Sequence, residues 1–158
     1  MYQSPSPLPE SARSAVAERL QATLLDGLDL HGQIKVAHWN VRGPHFAALH
    51  PLFETFAVAL AGFNDEVAER AVTLGARVRG TARSVAKASR VPEYPEETTR
   101  DLEHVKLLAE RFDAYLKSLR EARDVAEKHD DQDTVDLLTG MVEAFEKNGW
   151  FLRATLAA

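Results

Sequence analysis

The chain has 158 residues, 45% hydrophobic and 27% charged, with a formal net charge of −5 and no cysteine. This fits one folded domain and excludes a disordered chain, a disulfide framework, a thiolate nucleophile and any cysteine-based zinc or iron–sulfur site. A bound metal would have only His, Asp and Glu to hold it. The acidic balance argues against a surface that grips nucleic acid as a whole, although a local basic patch remains open. No apolar run approaches the ~20 residues that cross a bilayer. The opening MYQSPSPLPESARS has neither the basic nor the apolar region of a secretory signal. The expectation is a soluble, cytoplasmic domain without a membrane partner.

Proline marks the segments. It falls at 5, 7, 9, 44, 51, 92 and 95, leaving Pro-free stretches at 10–43, 52–91 and 96–158. A proline inside a helix costs ~3 kcal/mol, so long helices belong in those stretches. Residues 1–10 read as a flexible or extended Ser/Pro-rich tail, and 11–158 as the folded domain. In the first stretch Val16, Leu20, Leu24, Leu28, Ile34 and Ala37 recur at mostly three- and four-residue steps. Ser11 is the expected cap, and Arg42-Gly43-Pro44 the stop. A second helix starts between Phe46 and Pro51 and ends near Leu74-Gly75, where glycine supplies a left-handed residue. A short helical segment lies within Thr81–Arg90. A third long helix follows Pro95, capped by Thr98 or Thr99, with Leu102, Val105, Leu108, Phe112, Tyr115, Leu116 and Leu119 on its apolar face. His129-Asp130-Asp131 interrupts it, and a fourth carries Val135, Leu138, Met141, Val142, Phe145 and Leu152. Nothing alternates as a strand does. The pattern predicts an all-α four-helix bundle with a long crossover and a short extra helix between the second and third helices.

The second helix has two apolar arcs. Setting His50 to zero, Leu49, Phe53, Phe56, Leu60, Val67, Ala71 and Leu74 fall between about −60° and −120°, an ordinary core stripe. His50, Glu54, Asp65 and Glu69 fall at about 0°, 40°, 60° and 100°, among Val58, Ala61, Ala68 and Val72. A solvated face would not carry those apolar neighbours. Carboxylates at i and i+4, such as Asp65 and Glu69, repel each other and gain from a cation between them.

At a rise of 1.5 Å per residue, Glu54 and Asp65 lie about 16 Å apart along the axis. Metal ligands must come within about 2 to 2.6 Å of the ion. The two pairs therefore cannot close on one ion within a straight helix, but two copies packed antiparallel about a two-fold axis could join them. His38, at the end of the first helix, belongs with His50 and Glu54. The expected site is intersubunit: His38, His50 and Glu54 from one chain, Asp65 and Glu69 from its mate. Two histidines with three carboxylates suit Fe(II), with Zn or Mn as competitors.

His38-Trp39-Asn40-Val41-Arg42-Gly43-Pro44-His45-Phe46, Leu49-His50, Phe53-Glu54, Asp65 and Ala68-Glu69-Arg70-Ala71-Val72 together resemble the mini-ferritins known as Dps, the DNA-binding proteins from starved cells. Trp150-Phe151-Leu152 is similar to that family's last helix. The resemblance spans about residues 11–155. It implies a ferritin-like four-helix bundle and a hollow shell of twelve chains with a ferroxidase centre at each two-fold interface. It also implies Fe(II) oxidation, preferably by hydrogen peroxide, and storage of ferric mineral. Carried over position by position, the ligands are His38, His50, Glu54, Asp65 and Glu69, the same set the geometric argument points to. The chain departs from the family where Glu54 replaces the usual Asp, and where Pro51 directly follows a ligand and disfavours helical geometry at His50. It also lacks Lys-rich termini: the first basic residue is Arg13, so tail-mediated DNA binding is not expected.

Other clusters carry two readings each. Arg83, Lys87 and Arg90 share a face if their segment is helical, as a phosphate-contacting stripe or as a solvated surface. Asp130, Asp131, Asp133 and Asp136 read as a helix cap with favourable first-turn charge, as an acidic iron-admitting pore at a three-fold axis, or as both. His31 reads as packing. Trp39 reads as a core aromatic or as an interceptor of oxidising equivalents. No glutamate has a histidine three residues later, which excludes a di-iron site inside one bundle. The alternative function is a structural DNA-compacting protein with a weak or vestigial ferroxidase site, cytoplasmic or nucleoid-associated.

Overall fold

The structure, a computed structural model, describes residues 1–157. Four long helices, α1 (Glu10–Asn40), α2 (Phe46–Thr73), α4 (Asp101–Lys128) and α5 (Gln132–Leu156), pack as two hairpins, α1 on α2 and α4 on α5. The crossover from α2 to α4 holds the short α3 (Ala82–Ala88), which lies on α1. Among the described residues there is no strand, only an isolated bridge between Arg42 and Arg100.

The predicted apolar stripes form the core. Leu49, Phe53, Phe56, Leu60, Val67, Ala71 and Leu74 of α2 are all buried, as are Val16, Leu20, Leu24, Ile34 and Ala37 of α1. Phe112 stands edge-on to Phe56 and Phe145, with centroids 5.3 and 5.0 Å apart, and Tyr115 meets Phe145 at 4.9 Å. Each such pair adds about 0.5–1.5 kcal/mol to the area its rings bury. Leu102 is the exception: it sits in the first turn of α4 and is exposed.

Two helix caps differ from expectation, and a third end holds a proline. The α1 cap is Pro9 without a side-chain bond, and Ser11 lies inside the helix. Neither Thr98 nor Thr99 caps α4; the cap is Arg100, because the Arg42 bridge draws the chain straight through Thr99 to Asp101. The helix α2 runs through Pro51 from Phe46, so proline removes one backbone donor without delaying the start. As expected, Gly75 takes a positive φ of 96° after α2, and Asp131 caps α5 by accepting from Thr134 N at 3.3 Å; Thr81 caps α3 by accepting from Ser84 N.

Residues 2 and 4 of the tail lie against the end of α2. Tyr2 N donates to the Gly75 carbonyl at 2.6 Å and the Ser4 hydroxyl to the Thr73 carbonyl at 2.6 Å. Although His50, Glu54 and Thr55 break any single apolar run, by length and mean hydropathy alone α2 could cross a membrane. The reason is the second apolar arc, which adds Val58, Ala61, Ala68 and Val72 to a stripe already filled by the core. That arc is not covered by this chain; Val58 is 64% and Val72 50% exposed.

Candidate metal centre

The first half of the predicted site is assembled where α1 hands over to α2. The turn between them is clasped by Asp101 at the start of α4. Its Oδ2 accepts from His45 N at 2.9 Å and His45 Nδ1 at 2.8 Å, while Oδ1 accepts from Leu102 N at 2.9 Å. Gly43 has φ 142°, and a β-carbon there would sit 2.5 Å from the Asp101 carboxylate, so only glycine lets the turn close on it. These bonds hold the Asp101 carboxyl below its usual pKa, the His45 backbone N–H contributing most.

Within this clasp His38 and His50 face each other. Their rings stack with centroids 3.8 Å apart, and each Nδ1 lies 2.8 Å from the other residue's carbonyl oxygen. A carbonyl can only accept, so both Nδ1 atoms carry the proton and both Nε2 atoms present a bare lone pair. The His38 carbonyl, in the last turn of α1, has no helical partner; His50 supplies it. His38 Nε2 lies 3.5 Å from Glu54 Oε2. Two ligands at about 2.1 Å from one ion, subtending 90–110°, are about 3.0–3.4 Å apart, so the separation suits a shared cation.

Lys35, three residues before His38 on the same face of α1, makes a short ion pair with Glu54 Oε2. It pulls the Glu54 carboxyl below its usual pKa, chiefly through that hydrogen bond. Sequence reasoning missed Lys35, although its spacing from His38 was the available signal. His31 lies half-buried beside the same pair; burial first, then the Lys35 charge, lower its pKa, with Glu54 opposing.

Asp65 and Glu69 sit exposed farther along α2, and the chain does not bring them to His38, His50 and Glu54. Among the described residues no three His, Asp or Glu side chains converge on a metal position. The chain therefore holds two separated sets of candidate ligands.

The remaining candidates are placed as follows. Arg83 and Lys87 are exposed on α3, which buries no residue. Arg90 lies beyond that helix and is bound to buried Asp26 through Nε at 3.0 Å and Nη2 at 2.7 Å, and to Glu121 at 3.0 Å. It does not share the α3 surface. Asp131 is buried, paired with Arg70 at 2.6 Å and with the Thr134 hydroxyl at 2.6 Å, whereas Asp130, Asp133 and Asp136 are exposed. Trp39 is 68% exposed, with Lys35 Nζ 5.7 Å from its ring centroid, so it is no core aromatic of this chain.

An all-helical bundle with a crossover helix and His/carboxylate sets on α1 and α2 is a ferritin-like protein, and the ferritin-like domain family matches residues 17–158. The chain is 33% identical over 153 residues to a DNA protection during starvation protein of Agrobacterium fabrum, covering 97% of this chain and 94% of that one. It superposes on Mycobacterium smegmatis Dps with a TM-score of 0.93 at 31% identity, covering 99% of this chain and 95% of that one. It is also similar to a Vibrio cholerae Dps protein described as belonging to the ferritin-like diiron-carboxylate superfamily: TM-score 0.92, 26% identity, 99% and 98% covered. The chain belongs to the Dps family of ferritin-like proteins.

Proposed function

We propose that this protein is a mini-ferritin that oxidises Fe(II), preferably with hydrogen peroxide, at centres shared between two chains, and stores the ferric product inside a shell of twelve. The observation that carries this is the Nδ1 pairing that leaves an Nε2 lone pair on each of His38 and His50, with His38 Nε2 3.5 Å from the Glu54 carboxylate and with Asp65 and Glu69 displaced along α2 among exposed Val58 and Val72. A second copy packed antiparallel about a two-fold axis covers those valines and brings its Asp65 and Glu69 to the first copy's His38, His50 and Glu54.

Fe(II) is the substrate, held by nitrogen and carboxylate donors that accept both its oxidation states. Two Fe(II) give one electron each to a peroxide, which with two protons leaves as two waters. The Fe(III) then hydrolyses and moves inward. The chain's own part is to fix both imidazoles in one tautomer and to supply enough carboxylates to balance the charge. Removing Fe(II) and peroxide together in the cytoplasm spares DNA the radicals they would form. Zn(II) or Mn(II) would compete for the same donors.

The test is complementation. His38→Ala/His50→Ala breaks one half-site and Asp65→Asn/Glu69→Gln the other, so each variant alone should be inactive. In shells assembled from an equal mixture, half the pairs are mixed and each mixed pair has one intact site, restoring about a quarter of the activity. A site within one chain would restore none.

Direct DNA contact is a second reading, favoured by exposed Arg83 and Lys87 on a helix that buries nothing. A gel shift lost on replacing both by Ala, and weakened steeply by salt, would support it.

A further inference from the structure

The crossover before α4 carries Tyr94, buried, with its hydroxyl 2.6 Å from Nδ1 of His104. The rings are nearly parallel, 10° apart in plane. His104 is fully buried, and burial lowers its basicity, so it rests neutral; Glu103, the Asn40 backbone, Asp101 and the Thr98 backbone pull the other way. With the phenol donating to Nδ1, the ring's own proton sits on Nε2. The Arg111 guanidinium stands 5.3 Å from the Tyr94 ring centroid, held by the Gln33 side chain at 2.9 Å and the Glu93 carbonyl at 2.6 Å. Burial raises the phenol pKa, against the pull of Arg111, so Tyr94 does not ionise on its own.

The three tyrosines differ in what could take their proton. An oxidised phenol must shed it, and in a core that requires a base within reach. The buried Tyr115 hydroxyl has no hydrogen-bond partner. Exposed Tyr2 accepts from Arg77 at 2.6 Å and has only water as a base. Tyr94 alone of the three faces an imidazole. Its side chain also lines, with Trp39, a groove of about 870 Å³ between α1 and the crossover, and Trp39 adjoins His38.

We infer that Tyr94 and His104 form a redox-active pair that quenches a one-electron oxidant of the hydroxyl-radical class. Tyr94 gives up one electron and its O–H proton moves to His104 Nδ1, leaving a neutral tyrosyl radical and an imidazolium; the hydroxyl radical becomes hydroxide. One Fe(II) resets the pair: its electron reduces the radical, the proton returns to the phenolic oxygen, and Fe(III) remains. The reductant rests on the iron chemistry proposed above, and the oxidant is the hydroxyl radical that a lone Fe(II), without a second to pair with, forms with hydroxide by giving one electron to hydrogen peroxide; the pair rests on its own geometry.

The test therefore uses no iron. Azidyl radicals, generated by pulse radiolysis, oxidise the assembled full-length protein while tyrosyl absorption and the EPR signal are followed. The expected result is a long-lived tyrosyl radical that forms more slowly in D2O, is lost in Tyr94→Phe and persists in Tyr115→Phe. In His104→Gln, whose amide accepts a hydrogen bond without taking the proton, the signal should fall even though Tyr94 remains. Tyr94→Phe keeps the ring, and the D2O comparison needs no variant, so misfolding of the His104 variant would leave both readouts decisive. A signal that survives in Tyr94→Phe, or that vanishes in Tyr2→Phe instead, overturns the inference.

Discussion

His38 and His50 each donate a ring Nδ1–H to the other's backbone carbonyl, at 2.8 Å in both directions. The exchange sets the tautomer of both rings and closes the last turn of α1 onto the first turns of α2. The orientation of both rings and the closure of the turn between the helices thus share the same two bonds.

The Lys35 ammonium competes with a cation for Glu54. Lys35→Met should tighten Zn(II) or Fe(II) binding several-fold and speed the first turnover. The sign with pH follows from the Glu54 carboxyl, which Lys35 holds below its ordinary value. A depressed carboxyl stays ionised, and available to metal, until the pH falls through its lowered pKa. Without Lys35 that loss should begin at higher pH. Metal titration by calorimetry across the acid range measures both effects.

Asp65→Asn keeps size and hydrogen bonding but removes a charge from the second ligand set. Peroxide-driven Fe(II) oxidation should fall by at least an order of magnitude, on the scale of lost metal-site electrostatics, with shell mass unchanged. Stopped-flow absorbance of Fe(III) formation gives the rate; an unchanged rate would remove Asp65 from the site.

Asp101→Asn should lower Tm by several degrees, because its carboxylate collects three N–H donors and seats Gly43. Its pKa is depressed in the fold, so its contribution is full above the ordinary aspartate value and disappears as the pH falls through the depressed one. The variant's Tm should accordingly converge on that of the wild type in strong acid. Thermal melts followed by circular dichroism at a series of pH values test this.

In mid-α1, Gly27 lies against α2. A β-carbon there would meet Asn64 Oδ1 at 2.1 Å and the Tyr115 hydroxyl at 3.0 Å. Alanine gains ~1 kcal/mol of helix propensity over glycine, but overpacking costs about 1–3 kcal/mol. The clash should win in Gly27→Ala. The buried Asn64 amide has no hydrogen-bond partner, so Gly27→Ala/Asn64→Ala should recover the lost stability. Urea denaturation of both variants decides.

The long helices were legible because proline spacing and three-to-four-residue apolar periodicity are local signals. The arc from His50 to Glu69 was legible for the same reason. Helix caps were less so: Thr98 and Thr99 looked like caps until the bridge between Arg42 and Arg100, 58 positions apart, took the backbone past them. Arg90 looked like part of a surface stripe because nothing nearby in sequence announces its partner, Asp26, 64 positions away. Lys35 was overlooked because a lysine on an exposed helix face is usually solvated, and only the fold places Glu54 against it. Contacts across the bundle decide such cases, and no periodicity within one helix reports them.

The most direct test of the central claim is the native mass of the purified protein before and after Fe(II) with stoichiometric peroxide. The account predicts a closed shell of about twelve chains that gains iron as peroxide is consumed. A monomer that binds iron at full stoichiometry would contradict the shared centre, and a shell that takes up no iron would contradict the chemistry assigned to it.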